Sequence, residues 1–75
     1  MTKREVADIE KLLNDYSFLE AFAISKGSIE DAEKDFAKAW AVHRVCTIFG
    51  YRTRLDGMAE QEGVKYNHYK VEKWR

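Results

Sequence analysis

The sequence predicts a mainly α protein: an antiparallel helical hairpin of residues 3–25 and 28–49, then a short third helix and an extended C-terminal arm, in one small domain of residues 1–75. Three observations carry this. Two long stretches without proline repeat apolar residues at helical spacing, the brief breaker Lys26-Gly27 separates them, and the composition turns aromatic and β-branched after Gly63.

Thr2-Lys3-Arg4-Glu5 has the form of a capping box, a hydroxyl followed three residues on by an acid, so a helix should begin there. Val6, Ile9, Leu12, Leu13, Tyr16, Leu19 and Ala23 then fall on one helical side, which favours a continuous helix to about Ser25. Phe18 and Phe22 lie off that seam, four residues apart, and form a second apolar patch.

Ser28-Ile29-Glu30-Asp31 reads as a second capping box, and Glu30, Asp31, Glu33 and Asp35 crowd the first turns, where the helix dipole favours carboxylates. The connection is so short that the two helices should lie antiparallel. Gly50 is a natural stop. Residues 36–49 are the most apolar part of the chain, and their apolar side changes near Trp40: Ile29, Ala32, Phe36 and Ala39 share one face, Val42, Val45, Ile48 and Phe49 nearly the opposite one. Such a helix bends, is covered on two sides, or keeps one side for another molecule.

After Gly50, Tyr51, Leu55 and Met58 fit a short helical face, which places a third helix at Tyr51–Glu62. Beyond Gly63, Val64–Arg75 favours extended chain, with Val64, Tyr66 and His68 on one face and Tyr69, Val71, Lys73 and Arg75 on the other.

A chain of this length buries only about 60% of its unfolded surface, so a core worth about 3 to 5 kcal/mol is expected. Net charge is zero but unevenly spread: residues 1–42 hold 6 Lys/Arg against 9 Asp/Glu, and residues 43–75 hold 7 against 4. Attraction between an acidic and a basic half is the preferred reading, ahead of a basic face for an acidic partner. One cysteine rules out an internal disulfide, and no signal peptide or membrane-spanning run occurs, so a cytoplasmic protein without a membrane partner is expected.

His43 and Cys46 lie three apart and could share a helix side, but zinc would need ligands that His68 alone does not supply. A packed thiol beside a hydrogen-bonded histidine is preferred. Cys46 as a nucleophile is weaker still, because its aliphatic neighbours disfavour a thiolate. No phosphate loop, serine elbow or metalloprotease motif is present, so a non-enzyme without cofactor or metal is expected.

The remaining constellation is apolar, aromatic and basic. Val42, Val45 and Phe49 on the second helix, with Arg52, Arg54, Tyr66, His68, Tyr69, Lys70, Lys73 and Trp74 after it, are the candidate partner-binding residues. Rings and cations of this kind anchor protein interfaces, and they also suit single-stranded nucleic acid. Zero net charge sets nucleic acid second. The expected function is therefore stoichiometric binding of a larger protein, as a regulator, adaptor or inhibitor. A nucleic-acid-binding regulator and a structural homodimer are the two other readings.

Overall fold

Thr2 opens the first helix with both bonds of a capping box: its hydroxyl accepts from the Glu5 N–H at 3.1 Å, and its own N–H donates to the Glu5 carboxylate at 2.8 Å. The second bond holds the Glu5 carboxyl below the usual carboxylate range. A computed structural model describes residues 1–74; Arg75, counted above among the basic positions, lies outside the described residues. Helix α1 runs without a break over Lys3–Ser25. It ends where Gly27, at φ 76°, lets the Gly27 and Ser28 N–H groups turn back onto Ile24 and Ala23 carbonyls, the paired closure that a left-handed residue after the helix permits.

Helix α2 spans Ile29–Ile48. The second capping box does not form. The Ser28 hydroxyl donates to the Asp31 carboxylate at 2.8 Å instead of accepting from a free amide, so an acid near the helix start competes successfully for the hydroxyl.

The third helix is absent. Tyr51–Gln61 is strand β1 and Val64–Lys73 is strand β2, paired antiparallel from Tyr51↔Lys73 to Gln61↔Val64. With 58% helix and 28% strand, the fold is two helices followed by a β-hairpin and not a mainly α class. Two features oppose the helix. Tyr51, Thr53 and Leu55 alternate with Arg52, Arg54 and Asp56, a period of two, and Glu62 and Gly63, at φ 53° and 75°, make the two-residue turn whose twist suits a hairpin. The extended arm is β2, and its partner is the segment expected to be helical.

A lone two-stranded hairpin is marginal in water, and here α1 supports it. Leu13, Cys46 and Val71 form the buried centre, with Ile9, Ala39, Val42 and Tyr69 packed around it. Along the outer edge of β2, side chains of α1 take the place of a third strand. The Glu10 carboxylate accepts from the Val71 N–H at 2.8 Å. The Asn14 amide both accepts from the Tyr69 N–H at 2.7 Å and donates to the Tyr69 carbonyl at 2.9 Å, and the Ser17 hydroxyl donates to the Asn67 carbonyl. Positions 10, 14 and 17 recur at helical spacing, so one stripe of α1 satisfies one strand edge. Further along, Phe18 meets Phe22 at 5.7 Å and the Tyr66 ring edge-on at 5.5 Å, which covers the off-seam aromatic patch.

Among the described residues no ion pair joins the two charge halves. Every salt bridge among the described residues stays within its own half, as in Lys11–Asp15, Lys34–Glu30 and Arg52–Glu72. The carboxylate of the acidic half that bonds to the basic half, Glu10, engages a backbone N–H, not a cation.

Candidate binding cleft and strand-edge groove

The change of apolar side along α2 occurs within one continuous helix. Ala32, Ala39, Val42 and Cys46 turn toward α1 and the sheet, while Val45, Ile48 and Phe49 stay exposed on the outer side, Ile48 at 77%. A second bare stripe flanks the core on the other side. Ile29, Phe36 and Trp40 are each more than half exposed, as is Ile24 at the end of α1. Phe36 and Trp40 line a cleft of about 380 Å³ between the helices and β2, whose other walls include Leu13, Ser17, Asn67 and Tyr69. Leu55 and Met58, both more than half exposed, are the cross-strand partners of Tyr69 and Asn67 and so share their face of the sheet.

Glu20 stands in this cleft, and burial, with a smaller contribution from Asp35, raises its carboxyl above the usual range. A carboxyl whose folded pKa is raised favours folding below its unfolded value, and that contribution is lost as pH rises through the folded value. Glu20→Gln should therefore raise the urea midpoint slightly at pH 7 and leave it unchanged below about pH 3, where the carboxyl is neutral in both states. A midpoint that falls at pH 7 would mean that the charged form makes a favourable contact in the fold.

His43 separates the cleft from a second opening. Its Nδ1 is hydrogen-bonded to the Thr53 hydroxyl on β1, and Trp40 stacks on its ring at 5.4 Å and 24°. Cys46 points elsewhere, fully buried against Leu13 and Val71, where burial pushes its thiol pKa up. The two side chains thus do not form a joint site. Among the described residues no three His, Cys, Asp or Glu side chains are grouped as metal ligands. Beyond His43, a groove of about 460 Å³ runs between the last turns of α2 and the start of β1, lined by His43, Thr47, Tyr51, Arg52, Thr53 and Trp74.

The partner-binding candidates divide among three places. Val42 packs on the core, whereas Val45 and Phe49 are exposed on the outer side of α2. Arg52, Arg54, Tyr66, His68 and Lys70 lie on the sheet face turned away from Val71, with Trp74 under the Arg52 guanidinium at 5.5 Å. Tyr69 and Lys73 share the opposite face, Tyr69 against the core and Lys73 exposed. Arg52 and Arg54 on this face are internally paired: Glu72 accepts from Arg52 at 3.1 Å and from Arg54 at 3.0 Å, and Asp56 stands within 3.7 Å of Arg54 and 3.6 Å of the His68 ring. These arginines, Arg54 foremost, hold the Glu72 carboxyl below the usual range.

Phe36, Trp40, Leu55 and Met58 were not singled out for binding by sequence reasoning. The first two carried a signal, since rings four apart on one helix share a side, but nothing local distinguishes a ring that will be covered from one that will not. Among the described residues no helix is long and apolar enough to cross a membrane. Comparison with protein-family models, curated proteins and solved structures finds no match.

Proposed function

We propose that this protein acts without catalysis, by stoichiometric binding of another protein, and that the cleft lined by Phe36 and Trp40 is the centre of the contact. The observation that carries this reading is the clustering of large apolar side chains beside an open cleft: Ile24, Ile29, Phe36 and Trp40 are 53–59% exposed in a chain with few fully buried ones. Exposed apolar patches of this kind, rich in aromatic side chains, mark interaction surfaces. Nucleic acid is the weaker reading, because the chain carries no net positive charge. A reducing cytoplasm is the expected compartment for the single free thiol.

The test is quantitative capture from a host extract with the wild-type chain and with Phe36→Ser/Trp40→Ser, each with and without nuclease. Protein recovered at fixed stoichiometry, indifferent to nuclease and lost with the double substitution, is the expected result. Recovery that depends on nucleic acid would reverse the assignment.

A further inference from the structure

The two edges of the β-hairpin are treated differently by the fold. Glu10, Asn14 and Ser17 satisfy the outward backbone groups of Val71, Tyr69 and Asn67 on β2. In an antiparallel pair, residues opposite one another turn their backbone groups either both inward or both outward. Thr53 and Leu55, opposite Val71 and Tyr69, therefore point theirs away from β2, as does Tyr51 two residues earlier. Among the described residues nothing bonds to these groups. The groove between β1 and α2 is lined by Tyr51, Arg52 and Thr53 at the start of this edge, with His43 and Thr47 on the α2 side. A strand laid there would meet unpaired donors and acceptors on one side and α2 above.

We propose that the edge Tyr51–Leu55 takes up an extended segment of a partner protein as a third strand, and that this segment alternates acidic with apolar residues. The proposal rests on the protein-binding reading above. Main-chain pairing to an exposed sheet edge supplies affinity, and alternate side chains supply specificity. One set of side chains would turn toward α2, onto the face where the apolar Leu55 side chain is exposed and His43 and Thr47 line the groove. The other set would stand beside Arg52 and Arg54, whose side chains are about half exposed. Arg52 lines the groove itself, and Arg44, on the side of α2 shared by Thr47, has no ion-pair partner among the described residues.

Charge also argues against a second copy of this chain as the occupant. The bulge between Leu55 and Met58 ends the regular template after Leu55. Within it, every antiparallel self-register that keeps two or more backbone pairs among Tyr51, Thr53 and Leu55 sets arginine against arginine: Arg52 on Arg52, Arg52 on Arg54, or Arg54 on Arg54. Directly opposed like charges destabilise a strand pair, and the relieving contacts, Arg52 or Arg54 against Asp56, fall on the bulge.

A display library of random peptides of about twelve residues, panned on the full chain, tests this. Enriched peptides should alternate acidic and apolar residues. Their synthetic versions should slow exchange of the Thr53 and Leu55 amides by about tenfold or more and should lose affinity in Leu55→Pro. Because the Leu55 N–H points away from β2, proline there removes an outward donor without breaking the ladder. Should that variant not fold, amide exchange in the wild-type chain decides alone. Absence of enrichment, or exchange unchanged at Thr53 and Leu55, overturns the strand proposal. Enriched amphipathic helices that bind Leu55→Pro normally but not Phe36→Ser/Trp40→Ser would overturn it too, and would leave the protein-binding reading standing. Protection of the same amides on self-association without peptide would make a second copy the occupant and overturn the proposal equally.

Discussion

Replacing Asn14 by alanine should unfold most of the protein at 25 °C. The Asn14 side chain is a surrogate strand, bonded to both the N–H and the carbonyl of Tyr69 in a part-buried setting. Its loss leaves two backbone groups unsatisfied at about 1–3 kcal/mol each. For a chain this small the total stability is only about 3 to 5 kcal/mol, so the two costs together approach or exceed it. Asp15→Ala, one position along and exposed, should change stability by no more than about 0.5 kcal/mol. Urea denaturation followed by circular dichroism compares the two. A cost for Asn14→Ala no larger than that of the control would mean that β2 does not depend on the helix side chains at its edge.

Leu13→Ala should be comparably severe by a different route. Leu13 is 3% exposed and touches the buried centre from α1, and deleting its branched end costs about 2–5 kcal/mol through lost burial and the cavity left behind. Its sequence neighbour Leu12 is 42% exposed, so Leu12→Ala should cost well under half as much. Similar midpoints for the two variants would place the core on the wrong side of α1.

Both variants probe relationships that were unevenly legible beforehand. The two helices follow from local signals: the Thr2 capping box, the breaker Lys26-Gly27 and apolar spacing that persists over many turns. The alternation of faces along β2 was likewise visible, because Val64, Tyr66 and His68 can share a side only if the segment is extended. Tyr51–Gln61 was misread because Tyr51, Leu55 and Met58 satisfy a helical spacing, while Tyr51, Thr53 and Leu55 satisfy a strand spacing in the same few residues. Short apolar runs are ambiguous between the two periods. The pairing with β2, not the segment's own preference, decides it.

The candidate site was less legible than the fold. Glu10, Asn14 and Ser17 look like ordinary polar residues on a helix, and only the approach of β2 turns them into an edge cap. By the same logic, nothing in Tyr51-Arg52-Thr53-Arg54-Leu55 says that one side of its backbone will be left open. The sequence by itself determined the helices, their antiparallel connection and the two faces of the C-terminal segment, since these depend on capping, glycine and periodicity within a few residues. The tertiary structure alone decided that residues 51–61 become a strand, which edge of the hairpin is closed, and which rings on α2 stay bare. The strand depends on its pairing with β2 and the closed edge on contacts between residues 50 or more positions apart, as in Asn14 with Tyr69 and Ser17 with Asn67, and no local pattern encodes which backbone groups will meet across such a distance.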